Sequence, residues 1–138
     1  MKSFKVKPHV ADVRLRVKAD TLPELFEAAL LGMNQIFKKD SKIKDNQNLL
    51  IEHIKIESND QTSLLVDFLS QILTLSQINK AIFSYVDFKK LGEHDLEAEI
   101  QGFKIESFDE DIKAVSYHEA EISKNKKGEY QTTIIFDI

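Results

Sequence analysis

Apolar and polar residues alternate from Phe4 to Lys18, at Phe4 and Val6 and again at Val13, Leu15 and Val17, with Pro8-His9 between. A period of two predicts two strands or one bent strand, with Asp12, Arg14 and Arg16 sharing the face opposite the apolar one. Thr21-Leu22-Pro23-Glu24 then changes the pattern. It supplies a capping box, Thr at N-cap and Glu at N3, and puts proline in the first turn, where its missing N–H is not needed. The helix that starts here carries Leu22, Leu25, Phe26, Ala29, Leu30, Met33, Ile36 and Phe37 as one broad apolar stripe.

Lys38 to Asn48 is almost wholly polar and reads as a loop. Leu50, Ile54 and Ile56 mark a strand. Asn59-Asp60 precedes a second amphipathic run through Leu64, Leu65, Phe68, Leu69, Ile72 and Leu73, a helix to about Leu75. After Lys80 the period returns to two. Ile82, Val86 and Phe88, then Leu96, Ala98 and Ile100, flank Gly92-Glu93-His94 and predict two antiparallel strands. The last forty residues predict a hairpin, roughly Lys113 to Ser123 and Glu129 to Ile138, turned at Asn125-Lys126-Lys127-Gly128. Ile134, Ile135 and Phe136 are consecutive, as in a strand buried on both faces. Two helices and six or seven strands without βαβ alternation give an α+β fold: a two-layer sandwich with both helices on one face of a mixed, largely antiparallel sheet.

Composition narrows this picture. At 138 residues and 42% apolar, the chain suits one domain over 1–138. It has no cysteine, which excludes disulfides, thiolate metal sites and a cysteine nucleophile. A net charge of −4 has the wrong sign for a protein that coats nucleic acid by counterion release, so no direct sequence-specific nucleic-acid binding is expected. The first residues lack the apolar core of a signal peptide, and no stretch approaches the ~20 apolar residues of a membrane span. The expectation is a cytoplasmic protein with no membrane association.

Familiar chemical signatures are missing. Glycines 32, 92, 102 and 128 form no phosphate loop, and His9, His53, His94 and His118 form no zinc helix. His53 and His94 read as surface or packing residues, and Asp109-Glu110-Asp111 as a solvated acidic loop. Three segments hold more chemistry. Pro8-His9-Val10-Ala11-Asp12 puts an imidazole and a carboxylate at the start of a strand. Lys113-Ala114-Val115-Ser116-Tyr117-His118 gathers an ammonium, a hydroxyl, a phenol and an imidazole. Asp137-Ile138 sets a carboxylate side chain and an α-carboxylate beside the buried run, an arrangement that a hard cation would relieve. The simpler readings are that Asp12 pairs with Arg14, Arg16 or a lysine, that Asp137 is solvated, and that His118, in register with Ala120 and Ile122, is half-buried.

Taken in order, these pieces resemble the archease family over essentially the whole chain. The resemblance is carried by His9-Val10-Ala11-Asp12, Thr21-Leu22-Pro23-Glu24-Leu25-Phe26, Leu64-Leu65-Val66-Asp67-Phe68-Leu69, Lys113-Ala114-Val115-Ser116-Tyr117-His118 and Asp137-Ile138. Val10 and Ser116 stand where the family has threonine; the serine keeps the hydroxyl and the valine loses it. The resemblance implies a non-catalytic accessory protein that assists an RtcB-type RNA ligase in tRNA splicing and RNA repair, promoting its guanylylation and repeated turnover. It also implies a divalent-metal site of Asp12, Asp137 and the oxygen of Ile138. Such all-oxygen ligands suit calcium first, with magnesium and manganese as alternatives. His9, Lys113, Ser116, Tyr117 and His118 are then expected to contact the partner or support the ligands. Two other classes remain open: a small metal-dependent phosphohydrolase built on Asp12, Asp137 and His118, and a broader chaperone or adaptor acting through exposed apolar surface.

Overall fold

The computed structural model describes residues 2–3, 12–39 and 49–138. The expected strand segment from Phe4, His9 with it, and most of the polar stretch after Lys38 lie outside the described residues. Within them the order is β1 (Asp12–Ala19), α1 (Leu22–Phe37), β2 (Leu49–Glu57), α2 (Gln61–Asn79), β3 (Ala81–Leu91), β4 (Asp95–Lys104), β5 (Ala114–Ser116), β6 (Ser123–Lys124) and β7 (Tyr130–Asp137).

Local chemistry sets the helix ends. The Thr21 side chain accepts from the Glu24 N–H, and its hydroxyl donates to the Glu24 carboxylate at 3.1 Å. Asp60 caps α2 by accepting from the Ser63 N–H at 2.7 Å, which holds its carboxyl below the ordinary value of 3.8. The second helix runs one turn past Leu75 and ends where Lys80 turns left-handed, at φ 52°.

An α+β sandwich forms, as expected, but its strands divide between two sheets. One has the order β1-β7-β5, with β6 also on β7; the other is β2-β4-β3, and all pairs are antiparallel. Both edges of β7 are taken, by β1 on one side and by β5 and β6 on the other, while β4 is flanked by β2 and β3. Among the described residues the outer strands of one sheet do not pair with those of the other. The two helices fill the space between: α1 packs on β1, β3 and β7, and α2 on β2, β3, β4 and β5. Leu25, Phe26, Leu30, Met33, Leu64, Leu65, Phe68 and Leu69 are fully buried in one shared core. Within it the Phe26, Phe68 and Phe88 rings pack with centroids 5.6–6.1 Å apart.

Two close fits lock the β3–β4 pair to this core. A Cβ on Gly102 would stand 2.2 Å from the Ile82 carbonyl oxygen, so only glycine lets the two backbones approach there. Beside it the ladder slips register between Phe83 and Tyr85, and the buried Asn34 of α1 donates its amide to the Phe83 carbonyl at 2.8 Å. The side chain thus serves a backbone group at the bulge. Replacing it with leucine should leave that carbonyl unpaired and cost about 1–3 kcal/mol. Denaturant unfolding of Asn34→Leu measures this; an unchanged midpoint would refute the role.

Candidate functional site

The ends of β1 and β7 meet. The alternation along β1 buries Val17 and half-buries Val13 and Leu15, against Phe136, Ile134 and Thr132 of β7. Asp12, Arg14, Arg16 and Lys18 therefore share the outer face. In this register Asp12 lies directly opposite Asp137, and Ala114 of β5 lies opposite Asp137 on the other side. Directly opposed residues hold their Cβ atoms about 4.5–5.5 Å apart, and like charges so placed repel. Both carboxylates are exposed. The expected partnership of Asp12 with Arg14 or Arg16 is not what forms. Arg14 instead pairs with Glu119, and among the described residues neither Asp12 nor Asp137 has an ion pair.

Ile138 is half-buried against the core. Lys113 donates its backbone N–H to the Asp137 carbonyl at 2.7 Å, while its side chain is exposed. The structure thus brings together Asp12, Asp137, Ile138 and Lys113. Among the described residues no group of three His, Asp or Glu side chains converges.

The strand expected from Lys113 to Ser123 is broken. β5 ends at Ser116, whose hydroxyl accepts from the His118 N–H at 3.0 Å, a local bond that competes with the ladder. A turn follows in which the Ala120 N–H reaches the Tyr117 carbonyl at 3.3 Å and Glu119 takes the left-handed conformation, φ 64°. His118 points to solvent, with its side chain 77% exposed, and is not the half-buried residue that its register with Ala120 suggested. Tyr117 is also exposed, at 58%.

Polar groups of α2 stitch this irregular segment down. Gln77 donates to the Ile112 carbonyl at 2.8 Å, Thr62 accepts from the Ile122 N–H at 3.1 Å, and the Tyr117 hydroxyl donates to Asp67. Ser58 donates to the other oxygen of Asp67 at 2.5 Å. Asp67 escaped the sequence reading, although a lone carboxylate inside the run Leu64-Leu65-Val66-Asp67-Phe68-Leu69 is a signal of this kind. Asp109 is likewise more than solvated acid. It accepts from the Lys39 N–H at 2.9 Å, which holds its carboxyl below the ordinary value, and so ties the 105–113 connection to the end of α1.

With this geometry in hand, comparison with known proteins gives its context. The archease protein family (MTH1598/TM1083) matches residues 4–138. The chain belongs to the archease family. It is 31% identical over 150 residues to the protein archease of Pyrococcus furiosus, with all of both chains covered. It is 30% identical over 145 residues to that of Methanosarcina barkeri, covering 99% of this chain and 97% of the relative. A Thermotoga maritima structure described as an archease, possible chaperone, superposes with a TM-score of 0.68 at 16% identity, over 100% of this chain and 99% of that one. Protein 1598 of Methanobacterium thermoautotrophicum gives 0.67 at 23% identity over 96% of each. The archease fold accounts for the whole described chain, and no described helix is long and apolar enough to cross a membrane.

The Tyr117–Asp67 bond has a pH signature. Donation to Asp67 is the chief cause that raises the Tyr117 phenol above its ordinary value of 10.0, with desolvation adding to it. The bond's contribution to stability is therefore complete below pH 10.0 and lost as pH rises through the folded-state value. Ultraviolet titration of the tyrosines should show one group ionising late, and Asp67→Asn should return it toward 10.0. A late transition unchanged in that variant would contradict the assignment.

Proposed function

We propose that this archease-family protein is a non-catalytic accessory factor, chaperone-like in action, that activates an RtcB-type RNA ligase by promoting its guanylylation and multiple turnover. The reading extends membership of the family, and the description of the Thermotoga maritima relative as a possible chaperone accords with it. The observation that carries it is the opposition of Asp12 and Asp137 across β1 and β7, exposed and without an ion pair among the described residues. Two such carboxylates are a partial ligand set for a hard divalent cation.

Asp12, Asp137 and the oxygen of Ile138 would hold the cation, calcium first among the candidates. When bound, it supplies positive charge at an edge otherwise carrying two negative ones. The chain's own residues do the rest. The β1–β7 register presents the two carboxylates on one face, the main-chain bond from Lys113 to Asp137 fixes the start of β5, and the exposed Lys113 ammonium offers a cation to phosphate or to an acidic ligase surface. Tyr117 and His118, exposed just past the other end of β5, are the natural contacts for the partner. The factor acts by favouring a guanylylation-competent ligase conformation, which requires only that it bind that conformation better than others.

The test is guanylylation of the ligase from the same organism, with GTP and a divalent metal, at substoichiometric amounts of this protein. Wild type should stimulate the reaction, and Asp12→Ala should lose stimulation at least tenfold, about 1.4 kcal/mol, while remaining folded. Full stimulation by Asp12→Ala would remove the metal site from the mechanism. No stimulation by wild type would overturn the ligase role.

A further inference from the structure

Beyond the acidic corner, the same outer face carries a groove of about 520 Å³. Its floor is Gln131 and Thr133 of β7; Arg16 and Lys18 of β1 form one wall, and Ser123 and Glu121 the other. The register explains the grouping. Arg16 lies opposite Thr133, while Lys18, Gln131 and Ser123 stand in one row across three strands, about 10 Å wide at ~4.8 Å per strand. Along β1 the two cations are about 7 Å apart. Glu119, held by its left-handed backbone against Arg14, closes the end nearest Asp12.

Among the described residues β1 is an outer strand, and cations on such a strand commonly serve only to keep its edge from pairing with another sheet. Three observations here go further. Among the described residues Arg16 and Lys18 have no ion pair, although carboxylates stand across the groove. The cations stand on the β1 wall and Glu121 on the other, while Glu119, at the end of the groove, is held by Arg14. The floor and rim between them are neutral hydrogen-bonding groups: a hydroxyl from Thr133, a hydroxyl from Ser123 and an amide from Gln131. Cations with adjacent hydroxyl and amide donors suit a phosphate monoester, for which charge-assisted bonds are the strong ones. A carboxylate accepts only, so Glu121 suits ligand groups that donate, such as sugar hydroxyls, and it repels a second anion. The volume lies within the usual range of small-molecule sites.

We propose that this groove binds a phosphorylated, hydroxyl-bearing small molecule of the sugar-phosphate class, with its phosphate on Arg16 and Lys18 and its hydroxyls toward Glu121. The site is independent of the carboxylates at Asp12 and Asp137 and of any role with a ligase. The probes are ribose 5-phosphate, ribose and inorganic phosphate, each titrated into the full chain while the amide resonances of Gln131 and Thr133 are followed by NMR. Ribose 5-phosphate should shift both in a saturable way and bind at least tenfold tighter than either fragment. Arg16→Ala and Lys18→Ala, both at exposed positions, should each weaken it at least fivefold. Glu121→Gln should weaken ribose 5-phosphate while leaving inorganic phosphate unchanged or tighter. Absence of saturable shifts would overturn the site. So would equal binding of phosphate and ribose 5-phosphate, insensitive to Glu121→Gln, since the groove would then be no more than a patch of positive charge.

Discussion

Strand β7 sets the constraint on which the rest depends. Its backbone is hydrogen-bonded on both edges, to β1 and to β5 and β6, and Ile134, Ile135 and Phe136 are buried in succession. Ile134 and Phe136 face the core that α1 and α2 fill, whereas Ile135 faces outward in the row of Arg14 and Ser116, beside the Arg14–Glu119 pair. A slip of one residue between β1 and β7 would turn Val13, Leu15 and Val17 to solvent and bring Arg14 and Arg16 inward. The core therefore dictates the register. That register also opposes Asp12 to Asp137 and lines Arg16 and Lys18 along the groove, so the packing that stabilises the sandwich places both candidate sites.

The far side of β7 is built differently. A continuous partner strand would leave no exposed turn beside the acidic corner. Ser116 ends β5 by taking the His118 N–H, and α2 then holds the segment through Gln77, Asp67 and Thr62 in place of ladder bonds. Exposed pairs such as Arg14–Glu119 add little stability in water. The half-buried bonds from Gln77 and Thr62 do more to fix the segment that carries Tyr117, His118 and Glu119. Apolar burial thus sets the strand register, and side-chain-to-backbone bonds shape the exposed segment after β5.

What the sequence made legible was what local rules govern. Thr21 and Glu24 marked the start of α1, the apolar stripe marked its buried face, and alternation in β1 put Asp12, Arg14 and Arg16 together on the outside. Gly128, at φ 82°, turns the chain into β7 where the Asn125-to-Gly128 stretch predicted it. What escaped depended on distant partners. Which strands pair, β1, β5 and β6 with β7, and β2 and β3 with β4, depends on distant partners that no local pattern records. The break after Ser116 comes from one hydroxyl and from bonds to a helix about fifty residues earlier. Residue patterns alone left Asp12 and Asp137 as separate carboxylates, and only the family resemblance joined them; that they lie directly opposite each other without an ion pair among the described residues required the register and the diversion of Arg14 to Glu119.

The measurement that bears most directly on this account is thermal unfolding of the wild type and of Asp137→Asn, each with a chelator and with added calcium. If the opposed carboxylates are a strained pair that a cation relieves, Asp137→Asn should be the more stable in chelator, by about 0.2–1 kcal/mol as for other cross-strand charge pairs. Calcium should then raise the midpoint of the wild type and leave that of the variant unmoved. Equal midpoints in chelator, together with no calcium effect on the wild type, would show that the Asp12–Asp137 pair is neither strained nor a cation site.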